Sequence, residues 1–291
     1  MRATTKFREL MERETCIGLP GAYDCFSARL VEKMGFPAVY VTGYGIEATR
    51  LGRPDLGLSS MSEVIDQASN IADTVSAPVI CDSDVGWGGA LNVIRTVKAF
   101  EKAGVAGIHL EDQGMPKKCG GLDGRKNITL EEMVGKIKAA KEVLEDPDFV
   151  LIARSDAKVY GIDEVKRRLS AYLEAGADLV MVGERYTVEE LKDLANTFRG
   201  KLMVCGGFHN CEEMNLSLDE YAEMGVKVVA YALVGLGAAA KAIREAYKPL
   251  LNNRVITNEE LFAMCMDIVS MNRQLDIKKY LDWEAKFTPV V

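Results

Sequence analysis

The sequence predicts an α/β fold, a (β/α)8 TIM-type barrel with extra C-terminal helices, on two observations. Short apolar runs rich in β-branched residues recur through the first 230 or so residues. Each run is nearly continuous, as in parallel strands that are buried on both faces. Segments with helical periodicity separate the runs, and eight such alternations are typical of a closed barrel. A doubly wound open sheet is the alternative, but no G-x-G-x-x-G motif follows the first run.

The elements follow one another in a regular order. The eight predicted strands are 16–20, 38–43, 78–84, 106–112, 149–156, 178–184, 202–207 and 227–232. The predicted helices between and after them are 26–34, 61–75, 90–104, 130–144, 163–176, 187–198, 216–225 and 233–247. A glycine fits the position just past the last turn of several helices, namely Gly35, Gly104, Gly176 and Gly225.

The pattern changes after about residue 250. Residues 257–287 have helical periodicity and predict one or two further helices. Because no low-complexity linker precedes them, we expect residues 1–250 to form the barrel and residues 251–291 to extend the same domain.

Composition excludes several classes of function. The formal net charge is −7 with no basic tail, so we expect neither a nucleic-acid nor an anionic-membrane partner. The cysteine count is odd, at seven, with no C-x-x-C pair, which argues against a disulfide framework and a structural zinc site. The first 14 residues lack the apolar core of a signal peptide, and no apolar run approaches 18 residues. These features predict a cytoplasmic protein with reduced thiols.

Ionisable residues stand at the ends of four successive predicted strands: Asp82 and Asp84, Glu111, Arg154 and Glu184. Chemistry in a barrel of this type lies at the C-terminal ends of its strands. Asp82 and Asp84 share one face of their strand, and carboxylates this close repel unless a cation or a proton lies between them. Without a cluster of His or Cys, the pattern favours Mg²⁺. The alternative is that these acids only cap loops.

The segment 112–129 is long for a connection between a strand and a helix, and it is rich in Gly, Lys and polar residues. In a compact domain such a loop is often a lid over the active site. Cys119 lies in it between Lys118 and Gly120. Cations lower the pKa of a thiol and glycine lets the backbone approach a ligand, so we predict a reactive thiol, with Lys118 facing the site.

Several short motifs, taken in order, resemble the isocitrate lyase / phosphoenolpyruvate mutase superfamily, and the methylisocitrate and 2,3-dimethylmalate lyases most. The likeness runs from about residue 5 to the C-terminal helices. The motifs are PGAYDCFSARLVEKMGF, LGRPDLG, DSD at 82–84, HLEDQ, PKKCG and ARSDA.

The resemblance implies a Mg²⁺-dependent barrel (Mn²⁺ is possible) acting on small 2-oxo or 2-hydroxy diacids. It also implies a homotetramer whose subunits exchange their C-terminal helices. The implied metal residues are Asp55, Asp82, Asp84 and Glu111, with Asp84 as the direct ligand. The implied substrate-binding residues are Thr42, Gly43, Tyr44, Gly120, Arg154 and Glu184.

The resemblance also gives Cys119 a role. Carbon–carbon lyases of the family have a K-[KR]-C-G-H lid whose Cys acts as acid or base at the cleaved carbon. We therefore expect C2–C3 cleavage of a 2-hydroxy diacid to a 2-oxo acid such as pyruvate. Cys119 would protonate the other fragment, Arg154 and Lys118 would offset its charge, and Tyr44 is a weak candidate for the base.

The chain departs from the family pattern in two places. Gly121 stands where the lyases have His, and Cys205 stands near the usual carboxylate-binding Asn. A compact substrate such as 2,3-dimethylmalate or 2-methylisocitrate therefore fits better than isocitrate. Two alternatives stay open. One is changed chemistry, as in an oxaloacetate decarboxylase or hydrolase, a phosphonopyruvate hydrolase or a phosphonomutase, although carbon–phosphorus enzymes lack the Cys. The other is a non-catalytic dicarboxylate-binding barrel.

Overall fold

The computed structural model describes residues 1–207 and 216–288. The chain divides into two compact units, Met1–Val234 and Gly235–Val291. Within the described part, no helix is both long and apolar enough to cross a membrane.

The first unit is a closed barrel of eight parallel strands. Each strand pairs with the next along the chain, and β8 closes the barrel by pairing with β1. The predicted (β/α)8 fold is therefore confirmed. The strands are β1 Ile17–Ala22, β2 Val39–Val41, β3 Val79–Asp82, β4 Gly107–Glu111, β5 Val150–Ser155, β6 Leu179–Val182, β7 Leu202–Cys205 and β8 Val226–Tyr231.

Helices alternate with these strands, as their apolar spacing predicts. They are α1 Ala3–Arg13, α2 Cys25–Lys33, α3 Gly43–Ile46, α4 Met61–Thr74, α5 Ala90–Lys102, α6 Leu130–Val143, α7 Ile162–Glu174, α8 Val188–Thr197 and α9 Leu218–Met224. A π-helical segment, Glu47–Leu51, continues α3, and a 3-10 turn, Lys158–Tyr160, precedes α7.

The core positions the site at one end of the barrel. Interior side chains of the strands pack with Phe7 and Leu10 of α1 in one apolar cluster. Arg8 of α1 donates to Phe149 O (3.0 Å), just before β5, so this helix covers the N-terminal ends of the strands. A second cluster joins the outer faces of the strands to the surrounding helices. The C-terminal ends of the strands are left to the loops that carry polar residues.

The second unit is helical. Its helices are α10 Val234–Asn253, which begins at the last residue of the first unit, α11 Asn258–Met264, α12 Ile268–Gln274 and α13 Ile277–Phe287. The expected boundary near residue 250 falls inside α10. No residue of these four helices is buried, and large apolar side chains such as Phe262, Ile268 and Trp283 are exposed.

Candidate active site

Four carboxylates are buried at the C-terminal ends of β3 and β4. Asp82 ends β3 and Asp84 follows it, Glu111 ends β4, and Asp55 comes from the loop after the π-helical segment. The barrel register sets Glu111 beside Arg154 of β5. The structure thus brings together the residues that the resemblance implies for a metal.

Asp84 holds its position through a constrained backbone. Its φ is +46°, in the left-handed region, its N–H donates to Asp82 Oδ1 (2.9 Å), and its carbonyl accepts from Glu111 N (2.9 Å). Burial and the negative charges of Asp82 and Asp55 raise the pKa of Asp84 to about 7, against the opposing attraction of Lys117. The pair of strand-end carboxylates therefore creates a strong local demand for positive charge.

Lys117 lies among these carboxylates. Its Nζ is 2.6 Å from Asp84 Oδ1 and also pairs with Asp55. Burial alone would lower the pKa of Lys117, but Asp84, Glu111 and Asp55 together raise it well above its ordinary value. Lys118, which the sequence led us to expect at the site, instead sends its Nζ to Asp123 O (3.2 Å) on the lid. The structure therefore brings Lys117 to the site and leaves Lys118 outside it.

The carboxylates are ligands of the kind that a divalent cation prefers, but they do not form a complete coordination shell. Among the described residues, no three carboxylate, imidazole or thiolate side chains already converge on one point. Mg²⁺, however, keeps several waters and takes only one or two protein carboxylates. Glu111 Oε1 is buried without a hydrogen-bond partner, and the donors are hard anionic oxygens. The carboxylates of Asp55, Asp82, Asp84 and Glu111 fit such an ion.

Arg154 is clamped between acids at the end of β5. It donates from Nε and Nη2 to Asp156 (3.0 and 2.8 Å), and its Nη1 lies 3.1 Å from Glu111 Oε2. Burial disfavours the charge, but Asp156 and Glu111 raise the pKa of Arg154 well above its ordinary value. The guanidinium is thus a fixed, permanently charged group, suited to hold an anion or to stabilise a developing negative charge.

A small cleft opens above these groups. Thr42 and Tyr44, at the start of α3, line it, and Thr42 Oγ1 accepts from Gly45 N (3.3 Å). A Cβ at Gly43 would lie 2.7 Å from Asp82 Oδ2, so only glycine allows this close approach. The residues lining the cleft are Tyr40, Thr42, Tyr44, Asp55, Asp82, Cys119, Gly120, Arg154, Gly183, Cys205, Ala232 and Leu233.

Cys119 reaches this cleft from the lid. Its backbone N–H donates to Asp55 O (3.1 Å), which ties the lid to the segment that carries a candidate metal residue. The sequence suggested that neighbouring cations lower the pKa of the thiol. Burial outweighs them and raises that pKa instead. The thiol is therefore protonated at neutral pH, as a proton donor must be.

Glycines allow the lid to close over Arg154. A Cβ at Gly120 would lie 2.5 Å from Gly183 O and 2.9 Å from Arg154 Nη2.

We predict that Gly120→Ala keeps the fold but prevents the lid from packing against Gly183 and Arg154, because a backbone oxygen cannot move aside. Turnover should fall by about tenfold or more, as expected when a catalytic group shifts by 1 Å. Gly135→Ala, where an added Cβ meets nothing within 4 Å, is the control. Equal turnover in both variants, with unchanged thermal unfolding, would contradict the prediction.

Glu184 lies apart from the cleft that Arg154 lines. It accepts from Arg125 Nη2 of the lid (2.6 Å) and from Lys158 N (2.9 Å). With Gly121, these residues line a neighbouring polar cleft. Burial raises the pKa of Glu184. In this arrangement the side chain fastens the lid, and its implied contact with the substrate stays a prediction.

Sequence reasoning missed the role of Glu47. This buried carboxylate accepts from Leu58 N (2.7 Å) and from both Ser59 N and Ser59 Oγ (3.1 Å each). Ser59 O in turn accepts from Trp87 Nε1 (3.0 Å). Glu47 therefore organises the loop that carries Asp55. Its only signal was its place eight residues before Asp55, as the one acid between Thr42 and Asp55.

His109 is buried beside the carboxylates, with Nε2 2.7 Å from Tyr40 Oη and 3.5 Å from Asp82 Oδ1. Burial lowers the pKa of His109 to about 4, so the imidazole is neutral at pH 7. Residues 208–215, which include His209 and Cys211, lie outside the described residues.

Comparison with known proteins agrees with this fold. A family model described as phosphoenolpyruvate phosphomutase matches residues 7–251. The 2,3-dimethylmalate lyase of Eubacterium barkeri is 42% identical over 257 residues, which cover 87% of this chain and 88% of that protein.

Two solved structures have the same fold over nearly the whole chain. The structure of oxaloacetate acetylhydrolase in complex with the inhibitor 3,3-difluorooxalacetate has a TM-score of 0.89 and 31% identity, covering 98% of this chain and 96% of that one. The structure of phosphonopyruvate hydrolase in complex with oxalate and Mg²⁺ has a TM-score of 0.88 and 28% identity, covering 99% and 100%.

Proposed function

Because the chain belongs to the phosphoenolpyruvate mutase / isocitrate lyase superfamily, we propose that this enzyme is a Mg²⁺-dependent carbon–carbon lyase. Its substrate on this proposal is a small 2-hydroxy diacid of the 2,3-dimethylmalate type. The observation that carries the proposal is Cys119, a protonated thiol tied by its own backbone to Asp55 and lining the same cleft as Arg154.

The charges around the cleft support the divalent cation. The carboxylates of Asp55, Asp82, Asp84 and Glu111 are buried together with Lys117 and the already paired Arg154. A dianionic substrate would add to this excess of negative charge. Bound Mg²⁺ would supply Lewis-acid stabilisation of the substrate oxygens, with Asp84 and Glu111 as its holders. Phosphonopyruvate hydrolase, of the same fold, has Mg²⁺ and oxalate in its crystal structure.

The chain's own residues provide the rest of the reaction. The Thr42–Tyr44 segment would hold the end of the substrate that becomes the 2-oxo acid, and Arg154 would stabilise negative charge. A base, for which Tyr44 at the cleft stays the candidate, takes the 2-hydroxyl proton, and cleavage of C2–C3 leaves the bonding electrons on C3. Cys119 then gives its proton to C3, so that 2,3-dimethylmalate yields pyruvate and propionate. Solvent exclusion by the lid protects the carbanion until that proton arrives.

Part of the lining of the cleft supports a compact, alkyl-bearing substrate. This wall is formed by Cys205 at the end of β7 and by Ala232 and Leu233 after β8. Among the described residues that line the cleft, Arg154 is the only cation, and three carboxylate oxygens already engage it. A methyl group fits this wall better than a third carboxylate, because a buried charge needs a partner.

Oxaloacetate hydrolysis is the second candidate. The likeness to oxaloacetate acetylhydrolase favours it, because that enzyme has the same fold and is 31% identical to this chain. Here water would attack the 2-oxo carbon, and the same C2–C3 bond would break.

A coupled assay for release of 2-oxo acids (pyruvate or glyoxylate), oxalate and acetate tests both functions. The panel is 2,3-dimethylmalate, 2-methylisocitrate, isocitrate, oxaloacetate and phosphonopyruvate, each with Mg²⁺ or with EDTA. Pyruvate from a hydroxy diacid, absent in EDTA, supports the lyase. Activity on oxaloacetate only, with release of oxalate, would favour the second candidate function. No activity on any compound of the panel would favour a binding role.

We further propose a cytoplasmic homotetramer in which the C-terminal helices of one subunit pack on another. The exposed apolar faces of α10 to α13 support this, since side chains such as Tyr247, Phe262 and Trp283 need a cover in water.

A further inference from the structure

Gln113, directly after the strand-end acids of β4, is buried and has no part in the function proposed so far. Its side-chain amide makes three hydrogen bonds. Nε2 donates to Lys118 O (2.8 Å) and to Asp156 Oδ2 (2.7 Å), and Oε1 accepts from Lys118 N (2.9 Å). Both backbone polar groups of Lys118 are thus held by one side chain.

Asp156 links this clamp to the substrate-binding guanidinium. Its Oδ2 accepts from Gln113 Nε2 and also from Arg154 Nη2 (2.8 Å), while its Oδ1 accepts from Arg154 Nε (3.0 Å). A continuous chain of buried hydrogen bonds therefore runs from Arg154 through Asp156 and Gln113 to the backbone of Lys118. Cys119 is the next residue along the lid.

Other contacts hold the lid as well, among them Lys117 with Asp84 and Asp55 and Arg125 with Glu184. Its base is closed by Gly114 N to Lys126 O (2.7 Å) and Ile128 N to Asp112 O (2.9 Å). Cys119 itself is tied by its own N–H to Asp55 O (3.1 Å). A single bond leaves a peptide free to rotate about it, whereas Gln113 also holds the Lys118 carbonyl of that same peptide and the N–H of the peptide before it. Gln113 therefore helps to fix the backbone on the N-terminal side of Cys119, and with it the direction in which the thiol leaves the chain.

We infer that Gln113 is a positioning residue, which sets the lid backbone so that the Cys119 thiol faces the reacting carbon. The inference rests on the proposed lyase function for its kinetic consequence only. It requires that loss of the clamp loosens the lid without removing Arg154 from the cleft, because Glu111 and Asp156 still hold that guanidinium.

The test uses Gln113→Met, which keeps the length and volume of the side chain but makes none of the three bonds. We expect kcat for the cleaved hydroxy diacid to fall by about tenfold or more, with KM changed by less than about threefold. In the full-length protein with Mg²⁺ and oxalate, alkylation of Cys119 by iodoacetamide should rise by about tenfold. Mass spectrometry measures the alkylation of Cys119 relative to that of Cys265, an exposed thiol in the same chain.

Gln67→Met is the matched control, because Gln67 lies part-buried on α4 and carries the same substitution. It should match the wild type in every measurement. If Gln113→Met does not fold, Gln113→Asn replaces it, since the shorter amide cannot span Lys118 and Asp156 together. Wild-type alkylation and kcat in the folded variant would overturn the inference, and so would a rise in KM alone. If no hydroxy diacid is cleaved, the proposed function fails, while the alkylation rates still decide the role of Gln113.

Discussion

Cys119→Ser is expected to lower kcat for the hydroxy diacid by about 10²–10⁴-fold, the usual contribution of a general acid. The hydroxyl of serine is a far weaker acid than a thiol and is shorter, so it can neither reach nor protonate the carbanion as fast. The backbone contact of Cys119 N with Asp55 O does not involve the side chain, so the lid should stay in place. Mg²⁺ affinity should therefore be unchanged.

Turnover and metal binding must be measured on the same preparation. Steady-state kinetics gives kcat, and calorimetric titration with Mg²⁺ or Mn²⁺ gives the affinity. Cys25→Ser is the control, because that part-buried thiol begins α2 and lies outside the cleft. Wild-type turnover in Cys119→Ser would exclude the thiol as the proton donor. Loss of metal binding would mean that the substitution disturbs Asp55, and the loss of rate would then reflect the metal site rather than the thiol.

The fold was predictable because strands that are buried on both faces must be nearly continuous runs of apolar residues, and such runs are easy to recognise in a sequence. Val79–Asp82 and Val150–Ser155 are buried along their whole length, so their residues had to be apolar up to the point where chemistry begins. The same reasoning located Asp82, Asp84, Glu111 and Arg154. A charged residue directly after such a run has few places to lie other than the mouth of the barrel.

The lid was less predictable because a loop has no period. P-K-K-C-G does not say which lysine points inward, and the structure brings Lys117 rather than Lys118 to the carboxylates. The pKa of the thiol was expected to fall beside Lys118, but burial raises it by more than the charges of Arg154 and Lys117 lower it. Glu47 and Gln113 act by holding loop backbone, Leu58 and Ser59 for the first and Lys118 for the second, and a loop has no period that marks such roles.

Asp84→Asn is expected to abolish measurable turnover and weaken Mg²⁺ or Mn²⁺ binding at least about tenfold, while making the metal-free protein more stable at pH 8. Asparagine keeps the shape of aspartate and tolerates the left-handed φ of +46°, so the backbone need not change. It lacks the charge that a hard cation requires. The gain in stability follows because burial and the charges of Asp82 and Asp55 disfavour ionised Asp84.

The pH dependence gives this prediction its sign. The pKa of Asp84 is about 7 in the folded protein and about 3.9 in an unfolded chain, so the folded state binds more protons between those values. The free energy of unfolding of the metal-free wild type should therefore fall as pH rises from about 4 to about 7. Asn cannot titrate and escapes this loss. The two proteins should unfold at similar temperatures near pH 4 and diverge toward pH 8, with the variant higher.

Scanning calorimetry in EDTA from pH 4 to 8 measures this divergence, with Asp73→Asn on the exposed face of α4 as the matched control. A variant that is less stable than the wild type at pH 8 would mean that the ion pair of Asp84 with Lys117 outweighs the repulsion among the acids. Lys117 would then stabilise the carboxylates in the metal-free protein, and their repulsion would not favour binding of a cation. The expected result, a protein that gains stability as it loses metal and turnover, would show that the acids are retained for chemistry at the expense of the fold.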